Sequence, residues 1–275
     1  LCVPCLPFSL CVPCLPFSPC VPCLPFSLCV PPPVAIDIAA PSPYTSRMKI
    51  SRGLAVAALC AAAVFLSLFS LGGFALAEGI GGLASSKAGS FPKSWRPWPT
   101  HRDKASEVYS VAEENGSRFI RARDDKNLSE QIFYQFDWKA EEKPTLSWRW
   151  RATELPAGAA ESSDATNDSA CGLYVLVGSR YKGVAIKYVW SSTLAPGTVV
   201  SRRGGDLRIK VLDSGAASKG KWVKHTVDVP ADYEALFGKK LDSKLTGIGI
   251  LTDGNAVGKP AGCDYADFAV SAKTN

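Results

Sequence analysis

The chain has 275 residues, 47% of them hydrophobic and 20% charged, with a net charge of +6. That balance excludes a disordered or collagen-like chain and leaves length for one large domain or two small ones. The positive charge is too small and too mixed to point to nucleic acid.

The first element is a nine-residue repeat. LCVPCLPFS stands at 1–9 and 10–18, and PCVPCLPFS at 19–27. Seven of the ten cysteines fall within the first 29 residues. Repeat architectures need about 20–50 residues per unit, so this one builds no supersecondary element. Each copy carries Cys-Val-Pro-Cys, a spacing shared by redox and metal sites. A translated tandem duplication is the simpler account, because the only methionine of the chain, Met48, comes after it. Residues 1–47 are therefore expected to lie upstream of the functional protein.

Residues 48–77 read as a signal peptide. Lys49 and Arg52 precede an apolar run from Leu54 to Leu71, and Ala75-Leu76-Ala77 forms a small-residue exit before Glu78. The run is long enough to span a bilayer, but Gly72-Gly73 and the exit favour cleavage over an anchor. Leu59 sits where a lipoprotein cysteine would need a small residue, which excludes Cys60 from that role. The expectation is a periplasmic or secreted protein starting at Glu78, with no stable membrane anchor after cleavage. Residues 78–94, rich in Gly, Ser, Ala and Lys, read as a flexible lead-in.

From Trp95 to Asn275 the dominant period is two, the period of strands. Ser117–Arg123 alternates. Ile132, Tyr134, Phe136 and Trp138 share one strand face, with Gln131, Gln135 and Asp137 on the other. Trp148 and Trp150 oppose Arg149 and Arg151. Gly172–Val177 is a nearly continuous apolar run, and the polar segment 178–183 reads as a hairpin loop to a strand lined by Val184, Ile186, Tyr188 and Trp190. Leu207–Leu212, Trp222–Val229, Leu245–Leu251 and Tyr265–Ser271 complete the set. One helix is expected, with Pro230 in its first turn, Ala231–Phe237 as its body and Gly238 as its stop. This pattern predicts an all-β fold, an antiparallel β-sandwich of jelly-roll or Greek-key type with one short helix; a closed barrel is the alternative.

Several of these segments carry a family resemblance. Pro144-Thr145-Leu146-Ser147-Trp148-Arg149-Trp150, Tyr188-Val189-Trp190, Gly220-Lys221-Trp222, Asp232-Tyr233 with Phe237-Gly238, and Gly247-Ile248-Gly249-Ile250-Leu251-Thr252-Asp253 together resemble a bacterial family, domain of unknown function 3047. The resemblance runs from about Trp95 to Ala272. It implies an exported β-sandwich protein and no established activity. The sequence departs from the family in the loop Thr252-Asp253-Gly254-Asn255-Ala256-Val257-Gly258, which is less acidic, and near Gly172, where the family's arginine is missing.

No nucleophile elbow, zinc-binding His-Glu-x-x-His or phosphate-cradling loop is present, and two histidines, His101 and His225, exclude a histidine-rich metal site. Asp124-Asp125 and Glu141-Glu142 are adjacent acids, not a pair set across a cleft as glycoside hydrolysis requires. No residue is assigned a catalytic role. Trp95 and Trp98, flanked by Arg96, Pro97 and Pro99 outside any clear strand, are the candidates for an exposed ligand platform. Asp253, Asn255 and Asp264, with Asn167 and Asp168 before the central strand, offer the oxygen ligands of a calcium site, against ordinary turn chemistry. No other cofactor is expected. Cys171 and Cys263 are either a disulfide of an oxidising compartment or two separate buried thiols. The leading reading is an exported non-catalytic module binding carbohydrate or another cell-envelope ligand. The alternatives are a hydrolase acting on envelope polymers and a structural or assembly protein.

Overall fold

The computed structural model describes residues 77–98, 101–179 and 183–273. The expectations for residues 1–47 and for the signal segment up to Leu76 fall outside the described residues. Among the described residues the chain forms, in order, β1 (Glu78–Gly79), β2 (Arg96–Pro97), α1 (Arg102–Val108), β3 (Tyr109–Glu114), β4 (Ser117–Asp124), β5 (Gln131–Trp138), β6 (Thr145–Glu154), β7 (Ser169–Val177), β8 (Val184–Ser191), β9 (Val199–Arg202), β10 (Leu207–Ser214), β11 (Val223–Asp228), α2 (Val229–Phe237), β12 (Leu245–Asp253) and β13 (Ala261–Ser271).

The strands make two sheets. One has the order β11-β6-β13-β4-β3, with β1 added to β13; the other has the order β2-β5-β12-β7-β8-β10-β9. Most connections pass from one sheet to the other, which gives a sandwich and not a barrel. Alternation decides which side chains meet between the sheets. In β6, Leu146, Trp148, Trp150 and Ala152 are fully buried while Ser147, Arg149 and Arg151 face outward. Ile132 and Trp138 of β5 and Ile186, Tyr188 and Trp190 of β8 enter the same core. Cys171 of β7 and Cys263 of β13 are bonded across it, with Cα atoms 5.4 Å apart, so a disulfide ties one sheet to the other.

Three features differ from the sequence expectation. The sheets are not wholly antiparallel: β10 runs parallel to β8, because β9 takes the sheet edge and β10 returns between them. A second helix, α1, follows Trp98. Its sequence is mostly polar, with Ala105 and Val108 buried, so it carries little apolar period to read. Residues 78–94 are not a loose lead-in: Glu78 and Gly79 pair with Val270 and Ala269, and the Gly89 amide donates to the Val111 carbonyl. The expected helix is present as α2. The Asp228 side chain accepts from the Ala231 amide at its start, and Gly238, at φ 71°, ends it in the left-handed conformation.

Candidate functional site on the outer face of the seven-stranded sheet

The strand register lines up one row of residues across the outer face of this sheet. Arg96 pairs with Phe133, Phe133 with Gly249, Gly249 with Tyr174, Tyr174 with Lys187, Lys187 with Ile209, and Ile209 with Val200. The row splits into an open half and a covered half.

The open half is a cleft. Phe133 and Tyr174 lie on its floor, Trp98 packs edge-on against Phe133 with ring centroids 5.0 Å apart, and Gln131 and Gln135 flank Phe133 along β5. Gly249 makes this possible. A side chain there would bring its Cβ within 2.9 Å of Phe133, so the glycine lets the ring lie down on the sheet. Arg96 and Arg203 add two cations to the lining, and none of the described lining residues carries a carboxylate. The cleft holds only about 100 Å³, so a ligand would lie across it and not sink into it.

The covered half is a buried polar network under the β6–β7 connection. Lys187 lies over Gly172, where a Cβ would come within 2.7 Å of its Cε, and its Nζ reaches Ser169 Oγ at 3.2 Å. Ser169 Oγ donates to Glu161 at 2.9 Å, and Ser191 Oγ donates to the other Glu161 oxygen at 2.6 Å. Asp253 accepts from the Ser169 amide and from Ser129 Oγ. The Lys187 ammonium also sits 5.4 Å from the centroid of the Tyr174 ring, which links the network to the cleft floor. Burial works against the lysine's charge, but Tyr174, Asp253 and Glu161 outweigh it and hold its proton more tightly than usual.

A strand irregularity places Asp253. The β12–β7 register shifts between Leu251 and Asp253, which frees backbone groups on both strands. Two tyrosines from the opposite sheet fill the gap. Tyr265 Oη accepts from the Gly172 amide and contacts Thr252 Oγ1 and the Leu251 carbonyl, while Tyr109 Oη donates to the Glu130 carbonyl and accepts from the Thr252 amide. Buried backbone polar groups need such partners, and each supplied here also anchors the end of β12.

Burial raises the Asp253 carboxyl to about 6; Lys187 pulls it down and Asp168 pushes it up. An unfolded aspartate titrates near 3.9, so between about pH 4 and 6 the folded state binds the proton more tightly. The folded pKa is raised for an acid, so stability falls as pH rises through that window. Relative to Asp253→Asn, the native protein is expected to gain on the order of 2 kcal/mol between pH 7 and pH 4. Urea unfolding of both proteins across this range checks it, and identical pH profiles would refute it.

The structure separates the residues expected to form sites. Trp95 is a core residue, not an exposed platform: it is fully buried, its Nε1 donates to the Gly81 carbonyl at 3.0 Å, and it packs on Tyr134 and Phe268. Trp98, three residues on, is half-buried and lines the cleft. Asp253, Asn255 and Asp264 do not form one ligand set. Cys263 faces the core, so Asp264 faces out of the opposite sheet, where Arg121, Arg123 and Arg151 surround it; Asn255 is exposed in the β12–β13 turn. Among the described residues no three His, Cys, Asp or Glu side chains are grouped to hold a metal ion. His101 contacts Glu130 at 3.0 Å, and His225 packs against Trp148 and Trp150 while contacting Asp213 at 2.7 Å. Sequence reading missed Phe133, Tyr174, Lys187 and Glu161. The available signals were Phe133 on the glutamine face of β5 and a single lysine inside the apolar strand VAIKYVWS.

Fold and site define an all-β sandwich protein with an aromatic cleft on one outer sheet face. The chain belongs to a protein family of unknown function, DUF3047, whose model matches residues 93–269. No curated protein matches it. Among solved structures it is similar to the xyloglucanase domain of NopAA, a type three effector from Sinorhizobium fredii, at 10% identity and TM-score 0.35, covering 61% of this chain and 95% of that one. It is also similar to a family 29 carbohydrate-binding module from Piromyces equi, at 10% identity and TM-score 0.30, covering 73% and 92%. A third is endoglucanase 3 of Trichoderma harzianum, at 9% identity and TM-score 0.34, covering 74% and 99%.

Proposed function

We propose that this protein is an exported, non-catalytic β-sandwich module that binds carbohydrate across the outer face of the seven-stranded sheet. The observation that carries the reading is the aromatic group Trp98, Phe133 and Tyr174 on one sheet face, flanked by the side-chain amides of Gln131 and Gln135. Aromatic rings offer flat apolar surface to the C–H faces of sugar rings, and amides donate to and accept from hydroxyls. The buried inter-sheet disulfide and the signal-like segment 48–77 support export, since such bonds persist in oxidising compartments. The hydrolase reading requires two carboxyl groups across the cleft, and the described lining residues carry none.

Trp98→Ala is the direct test. Because Trp98 is only half-buried, its loss is expected to change stability by less than about 1 kcal/mol. Affinity for soluble oligosaccharides, read by titration calorimetry against a panel of neutral and acidic chains, should fall by about tenfold or more, as for an aromatic anchor. Undiminished binding by W98A, or no binding of any oligosaccharide by the native protein, would refute the reading.

A further inference from the structure

We infer that the glycan bound in this cleft is anionic, its acid groups held by Arg203 and Arg96; the inference rests on the carbohydrate reading above and narrows it. The cleft is electrically one-sided. Among the described residues its lining holds two guanidinium groups and no carboxylate. A neutral sugar would gain nothing from that bias.

Arg96 Nη1 donates to the carbonyls of Lys93 and Trp95, at 2.6 and 3.0 Å, which orients the guanidinium without cancelling its charge. Among the described residues neither Arg96 nor Arg203 makes an ion pair, whereas the adjacent Arg202 is paired with Asp164. Arg203 is also held in a costly conformation. It has φ 53°, in the left-handed region that non-glycine residues seldom adopt, and it is followed by Gly204 and Gly205, which take that region freely. Such backbone strain concentrates at ligand clamps. Beneath the cleft floor Lys187 lies against Tyr174, and the buried Glu161 and Asp253 offset its charge from the other side, so the cleft's positive bias rests on the two arginines.

The layout sets the size of the ligand. Arg96 stands on the edge strand β2 and Tyr174 on β7, three strand spacings away, about 14 Å, which suits a short oligosaccharide and not a single ring. Guanidinium forks pair in plane with carboxylates, and they also bind the oxygens of sulfate esters. Both acid groups present the same chemistry to the cleft.

The test compares oligogalacturonate, its methyl ester, a sulfated oligosaccharide and a neutral cello-oligosaccharide of equal length by titration calorimetry. At least one anionic probe should bind about tenfold more tightly than its neutral counterpart, and the stronger of the two identifies the acid group. Arg203→Gln and Arg96→Gln should each remove most of that preference, read as the ratio of anionic to neutral affinity within the same variant. Lys224→Gln, an equal loss of charge on exposed β11 of the other sheet, should change nothing and so controls for general attraction to polyanions. Equal affinity for acidic and neutral probes, or an acid preference unchanged in both arginine variants, overturns this inference and leaves the carbohydrate reading standing. Absence of binding to every probe overturns both.

Discussion

Lys187→Met is expected to lower the unfolding free energy by about 3–5 kcal/mol, the usual cost of removing one partner from a buried ionic group. Lys187 is the one buried cation among the described residues, and the buried carboxylates of Glu161 and Asp253 act on it. Methionine keeps the length and apolar stem of the side chain, so the loss reports charge and not packing. The variant leaves Glu161 with its two serine donors but no cation, and it removes the group that holds the Asp253 carboxyl down. Combining K187M with E161Q and D253N should recover at least half of the loss, because the stranded negative charges are then absent. Urea unfolding of the native protein and both variants measures this. A loss below about 1 kcal/mol in K187M would show that desolvation of the lysine already offsets its attraction to the carboxylates.

The Cys171→Ala/Cys263→Ala variant should lose about 4 kcal/mol of stability, from a crosslink whose ends are 92 residues apart. That loop spans β7 to β13, so the crosslink restricts segments that belong to both sheets in the unfolded chain. In the folded state both cysteines are fully buried, and alanine removes a single sulfur from each side of the interface. The corresponding drop in melting temperature is roughly 10 °C for a domain of this size. Thiol titration of the denatured, unreduced protein should find neither cysteine reactive. Two reactive thiols there, or a variant that melts with the native protein, would contradict the bond.

Local pattern carries much of this fold. The alternation of Leu146, Trp148, Trp150 and Ala152 against Ser147, Arg149 and Arg151 admits one inward face, because a one-residue slip would bury the arginines. The same holds for Ile132 to Trp138 in β5 and for Ile186 to Trp190 in β8. The α2 helix is equally local, bounded by Asp228 and Pro230 at one end and Gly238 at the other. Elements with weak period were not legible: α1 is polar, β1 and β2 have two residues each, and β9 is an exposed edge.

The site depended on register between distant strands. Trp95 and Trp98 have nearly the same local sequence, yet one enters the core and the other lines the cleft. The difference comes from the Gly81 carbonyl and from Phe268, 173 positions further along, which enclose Trp95. Phe133, Tyr174 and Lys187 meet only because β12 inserts between β5 and β7 and presents Gly249 at the level of Phe133 and Tyr174. By itself the sequence determined the two-faced strands, the α2 helix and the family, since these follow from side-chain period, capping residues and short motifs. Which tryptophan reaches solvent, which cysteines bond, and which cations and rings share one cleft were decided by the tertiary structure, because strand order and register set those distances and no local pattern encodes them.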